Sequence, residues 1–264
     1  MRISSKQKEA NRSKLIAVAV ELFSEQGFHN VSMKQIAKAA GMGDSSVYKY
    51  FPNKDKFLLA YHEGVLFNIL DLVEENADFA DFTLEEKLQF FVYNYLDELL
   101  ENREFVAESL EILRNSPSFL MQREFPASKA LKKKLGEILD QAIEAGEIPD
   151  LPLQGAITHL MVDGLLGTVL YWLQDDSEDF TQTTQFVEIT IGFFTTVLKS
   201  GVIGKGADLV SFLFKSQVMR FMDSGTKMPG MMGGMGGAMG GAVGLAALMK
   251  GMGSFVSRGS RHDK

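Results

Sequence analysis

Residues 32–51 read Ser32-Met33-Lys34-Gln35-Ile36-Ala37-Lys38-Ala39-Ala40-Gly41-Met42-Gly43-Asp44-Ser45-Ser46-Val47-Tyr48-Lys49-Tyr50-Phe51, and this run decides the fold. Ser32 with Gln35 three residues on is a capping-box pattern that opens a short helix through Ile36, Ala37 and Ala40. Gly41-Met42-Gly43 breaks it, and a second short helix around Asp44–Tyr50 stops at Phe51-Pro52. Glycine permits the tight turn between crossing helices, so the run predicts a helix-turn-helix. With Val47 packed back on Ile36 and Ala37, the second helix turns Ser45, Ser46, Lys49 and Tyr50 outward. Hydroxyls and phenols on such a face reach phosphates, and lysine reaches guanine or phosphate in a major groove. A solvated helical hairpin has the same spacing, so both readings stand at this point.

The flanks extend the helical pattern. Leu15, Ile16, Ala19, Leu22 and Phe23 recur at three to four residues, and Gly27 supplies a stop behind them. Asn53 is placed to cap the next helix, which carries Phe57, Leu58, Tyr61, Val65 and Leu66. Thr83 with Glu86 opens another through Leu88, Phe91, Val92 and Tyr95, and further helices are predicted over 103–114 and 129–145. Gln154–Trp172 and 183–199 are too apolar for surface helices, so each is expected to be buried over most of its circumference. Residues 207–222 repeat that character. The expected fold is all-α, in four parts: a helix-turn-helix head over 1–55, a helical body over 56–203, an additional apolar helix over 204–224 and a Gly/Met-rich tail over 225–264.

Charge divides the chain in the same place. The whole carries a formal -7, which taken alone argues against a nucleic-acid partner. Residues 1–60, however, hold ten lysines and arginines against five acids, so a basic head sits on an acidic body. An apolar fraction of 45% is enough for a real core. Cysteine is absent, which excludes disulfides, cysteine-based zinc sites and a cysteine nucleophile, and fits a reducing cytoplasm. No apolar run follows the first charges, so no secretory leader is expected.

From Ser32-Met33-Lys34-Gln35-Ile36-Ala37 through Ser45-Ser46-Val47-Tyr48-Lys49-Tyr50-Phe51-Pro52-Asn53-Lys54-Asp55, with Glu21-Leu22-Phe23 and Gly27-Phe28 ahead of it, the chain resembles the DNA-binding head of the TetR/AcrR (tetracycline-repressor) regulators. The resemblance is specific over about residues 12–60, and the stretch from Ala145-Gly146 to Asp163-Gly164-Leu165 is similar to the start of that family's paired dimer helices. It implies that Lys34, Asp44, Ser45 and Lys49 face base edges, that Ser46, Tyr48 and Tyr50 contact the phosphate backbone, and that Lys54 clamps a phosphate. Met33 stands where several members have a hydroxyl. Asp44 would accept from cytosine or cap its own helix, and the cap is the favoured reading.

The resemblance further implies a cytoplasmic homodimer on a pseudo-palindromic, double-stranded operator, with Gln154–Trp172 and 183–199 forming a four-helix bundle with their counterparts. Intramolecular core is the competing use of that surface. An effector pocket for a small, apolar compound is implied among Phe67, Phe90, Phe91, Tyr95, Phe105, Phe119, Phe125, Tyr171 and Trp172, with Tyr93 and His159 as polar candidates. The function expected is a ligand-responsive repressor. The alternative is a regulator tied to a membrane or a protein partner through 205–264, where 228–249 lacks charge but is interrupted by Pro229 and many glycines. No cofactor or metal is expected: His29, His62, His159 and His262 lack ligand spacing, and neither a phosphate loop nor an HExxH pattern argues for an enzyme.

Overall fold

The computed structural model describes residues 4–115 and 126–223, and within them every regular element is helical. The head comprises α1 (Ser5–Gln26), α2 (Met33–Ala39) and α3 (Asp44–Tyr50). The body comprises α4 (Asp55–Glu75), α5 (Leu84–Leu100), α6 (Arg103–Asn115), α7 (Pro126–Glu144), α8 (Gln154–Trp172), α9 (Thr181–Lys199) and α10 (Val202–Asp223). Phe119, Phe125 and the tail over 225–264 lie outside the described residues.

Local chemistry sets the boundaries. Ser32 and Gln35 form the reciprocal capping box, the Ser32 N–H donating to Gln35 Oε1 at 2.8 Å. Thr83 and Glu86 repeat it at the start of α5. Asn53 Oδ1 accepts from the Lys56 N–H at 3.2 Å in the first turn of α4, although Lys54 and not Asn53 holds the N-cap position. Gly41 adopts φ +67° between α2 and α3, a conformation that costs a Cβ-bearing residue about 1 kcal/mol.

Two apolar cores hold the molecule. In the head, Leu15, Ala19 and Phe23 of α1 close over Ile36, Ala37, Val47 and Phe51, with Phe51 stacked on Phe57 at 4.0 Å between ring centroids. This core runs past residue 55 to take in Phe57–Ala60 of α4 and Phe105 and Leu113 of α6, so α4 and α6 both belong to head and body. In the body, α5 and α7 contribute Leu88, Phe91, Leu131, Leu135 and Leu139, covered by Val169 and Trp172 of α8 and Val187 and Ile191 of α9.

The expected all-round burial of α8 and α9 needs correction. Within one chain each buries a single stripe, while Leu160, Leu166, Leu170, Ile189 and Phe193 stay exposed. Their apolar excess is a second face, not more of the same core. On α10, Leu209, Val210, Phe212 and Leu213 are exposed as well. Among the described residues no single helix is long and apolar enough to cross a membrane. Glu178–Lys199 and Val202–Leu213 pass that test only together, bent by 53°.

Candidate functional site

The predicted interface is an exposed face of the head. Val47 is fully buried under α3, which fixes the helix rotation and leaves Asp44, Ser45, Tyr48 and Lys49 exposed, with Ser46 and Tyr50 half-buried. Lys34 is exposed in the first turn of α2. Tyr48 is 54% exposed. Tyr50 is held from α1, its hydroxyl accepting from Asn11 Nδ2 at 3.3 Å. Arg12 lies over the Phe51 ring, 5.6 Å from its centroid. The structure therefore brings Asp44, Ser45, Tyr48 and Lys49 together on one short helix, with Lys34 on its partner.

Two residues sit differently from their expected roles. Gly43, not Asp44, is the N-cap of α3, and no side-chain cap bond is present there. Asp44 stands one position inside, where a carboxylate is favoured by the helix dipole. Lys54 turns inward: its Nζ donates to the Phe28 carbonyl at 2.6 Å and lies 4.4 Å from the Phe28 ring centroid. Desolvation lowers its pKa, opposed by the neighbouring Asp55 carboxylate. Lysine remains charged at neutral pH, so any phosphate at this site would share it with Phe28.

In the body, α5, α7, α8 and α9 enclose an apolar cavity of about 280 Å³, with Phe91, Leu131, Met161, Leu165 and Phe194 among its lining residues. Among the described lining residues, Thr168 and Thr190 are the ones with polar side chains. Leu160 and Phe193 line it too, yet are 61% and 70% exposed, so the cavity opens on the free face of α8 and α9.

Neither polar candidate lines this cavity. Tyr93 borders a separate groove with Asn94, Asp97, Trp172 and Phe180, and burial followed by the Glu188 charge raises its pKa. His159 is on the surface of α8, with Nδ1 2.6 Å from the Gly155 carbonyl and Nε2 3.0 Å from Lys132 Nζ. Of the aromatics proposed around the pocket, Phe91 lines it, whereas Phe67 and Phe105 border a wider groove between α1, α4 and α6. Sequence reasoning missed Thr168, Thr190 and Gly164. A small residue and a threonine one turn apart on an otherwise apolar helix face, as Gly164 and Thr168 are, was the available signal. Among the described residues no group of three or more His, Asp or Glu side chains is placed to hold a metal.

Two short crossing helices with an exposed polar second helix, carried on a helical body with its own core and cavity, define a helix-turn-helix DNA-binding regulator. The sequence matches the tetR family of bacterial regulatory proteins over residues 15–61, and the tetracyclin repressor-like C-terminal domain over 87–213. The chain belongs to the tetR family: it is a DNA-binding transcriptional regulator and not an enzyme, and regulators of this family bind operator DNA as dimers. It is 28% identical over 174 residues to the fatty acid metabolism regulator protein of Bacillus subtilis, covering 66% of this chain and 89% of that one. The solved fatty acid degradation regulator FadR of Bacillus halodurans has a TM-score of 0.52 at 22% identity, covering 72% of this chain and 96% of that one. A tetR-family regulator of Syntrophomonas wolfei reaches a TM-score of 0.56 at 18% identity, over 72% and 97% of the two chains. These two structures share the fold.

Proposed function

We propose that the chain is a homodimeric repressor relieved by a small apolar effector, acting in the cytoplasm where its operator lies. The observation that carries this is the cavity between α5, α7, α8 and α9, which opens on the apolar face of α8 and α9. Isolated apolar side chains on a surface need no explanation, but a continuous set such as Leu160, Leu166, Leu170, Ile189 and Phe193 marks a contact surface. A second copy packed there gives a bundle of four helices, closes the mouth of the cavity and presents two heads. One short recognition helix makes few base contacts, so specific binding needs two half-sites, about 34–36 Å apart along the duplex or a multiple of that.

In this reading residues 1–55 bind DNA, 56–203 bind effector and partner, and 204–224 add a helix outside that division. Lys34, Asp44, Ser45 and Lys49 face base edges; Ser46, Tyr48, Tyr50 and Lys54 hold phosphates. Asp44 is tolerated near DNA because the α3 dipole favours its charge and because it can accept from cytosine N4. The effector class is a fatty acyl compound. Two things support it: a lining that among the described residues is apolar apart from two threonines, and the relative named as a regulator of fatty acid metabolism. The ligand acts only through its difference in affinity between the DNA-bound and released arrangements, carried by α4, which is shared by both cores.

The test is titration of saturated fatty acids and their coenzyme A thioesters into protein bound to a duplex selected from a random pool. Release by a subset of chain lengths supports the reading. Unchanged DNA affinity with every compound shown to bind the body contradicts it.

A further inference from the structure

A tyrosine hydroxyl holds a single proton, so the partner of that proton decides what the group can recognise. Tyr50 closes α3 half-buried, its ring packed against the head core. Asn11 Nδ2, on α1, donates to its hydroxyl at 3.3 Å. The other end of the same amide is also taken, because Gln7 Nε2 donates to Asn11 Oδ1 at 3.0 Å. Gln7 and Asn11 stand one turn apart, where side chains on a helix surface meet.

An asparagine amide can be turned either way, and the two orientations have opposite consequences here. With Nδ2 toward Tyr50 the phenol accepts, and its own proton is left to point elsewhere. With Oδ1 toward Tyr50 the phenol would donate to asparagine and have no proton to offer. Gln7 selects the first by donating to Oδ1. The chain from Gln7 through Asn11 to Tyr50 therefore runs donor to acceptor throughout, and it ends in a phenol O–H that neither bond uses. We propose that Asn11 is a positioning residue for DNA binding: it holds the Tyr50 hydroxyl as a donor for a backbone phosphate, with Gln7 setting the sense of its amide. A phosphate oxygen only accepts, and a bond from a neutral donor to a charged acceptor is stronger than one between neutral groups. A hydroxyl already oriented loses less freedom when the duplex arrives. The inference rests on the regulator reading above and extends it by giving two side chains of α1 a task in recognition.

A double-mutant cycle on a duplex selected from a random pool tests this. Tyr50→Phe removes the donor and is expected to weaken binding about tenfold, the scale of one hydrogen bond to a charged group. Asn11→Ala keeps the phenol but frees its orientation, and is expected to weaken binding about threefold. The double variant is expected to bind as Tyr50→Phe does, since Asn11 then has no hydroxyl to orient. All three should keep the parent's dependence of affinity on salt, because a phenol displaces no counterion. A head that was only loosened would lose lysine contacts and flatten that dependence. In the free protein, the Asn11 side-chain amide resonance should move when Tyr50 becomes phenylalanine. Additive losses in the double variant overturn the proposal, as does a flattened salt dependence in Asn11→Ala or an Asn11 resonance that Tyr50→Phe leaves in place. A parent protein that binds no duplex overturns the regulator reading and this proposal together, whereas additive losses in a protein that does bind leave that reading standing.

Discussion

Lys49 and Lys54 are both lysines of the head, but their surroundings assign them different work. Lys49 is exposed on α3, and its replacement by alanine should weaken discrimination at particular base pairs while leaving nonspecific binding nearly intact. Lys54 is tied to Phe28, so Lys54→Ala should weaken binding to all sequences alike, flatten the salt dependence by about one counterion and loosen the head slightly. Competition binding across salt concentrations separates the two; equal salt slopes in parent and Lys54→Ala would remove its phosphate role.

His62 gives a pH signature at the same scale. Its Nε2 lies 2.8 Å from Ser109 Oγ, and that hydroxyl donates to the Val106 carbonyl, so Nε2 carries the proton and donates. Burial pushes the His62 pKa down to about 4, although one edge of the residue stays accessible. Between pH ~6.5 and ~4 the unfolded chain binds a proton that the folded chain refuses, so stability falls as pH drops through that window. The loss is about 3 kcal/mol, and the pH dependence of stability, read from denaturant titrations at several pH values, should be shallower by about one proton in His62→Asn.

Among the elements, α2 and α3 were the most legible. The Ser32–Gln35 cap, the Gly41 turn and the inward Val47 are local features, and local chemistry sets them whatever the rest of the chain does. Ser32→Ala should cost about 1 kcal/mol of head stability, read as a lower thermal midpoint. The ends of α8 were equally plain, since an apolar run of that length has clear limits. Its orientation was not. Periodicity identifies an apolar face but does not say whether the same chain, a ligand or another subunit covers it. For that reason the sequence marks Tyr93 and His159, polar residues in mid-helix, as pocket candidates, whereas in the structure neither lines the cavity. The hydrogen bond from Asn11 to Tyr50 was invisible for a related reason: the two lie 39 residues apart, a separation that no local pattern encodes.

For the molecule as a whole, the account joins one cavity, one apolar face and two heads. Gly164 lines the cavity with nothing within 4 Å of where a Cβ would stand, so a side chain can be started there without a backbone clash, and Gly164→Leu is the variant expected to occupy the space. That variant should keep its DNA affinity and lose the thermal shift given by a fatty acyl ligand; an undiminished shift would place the ligand elsewhere. Charge on the exposed face should separate the subunits. Phe193→Glu is expected to sediment as a monomer and to lose specific DNA binding together with dimerisation, because half a site gives too few base contacts. The most direct check on the whole is selection from a random duplex pool by the purified full chain, followed by sequencing of what it retains. The account predicts an inverted repeat whose half-sites are separated by a whole number of helical turns, and a pool that retains no common sequence, or a single unpaired half-site, would contradict it.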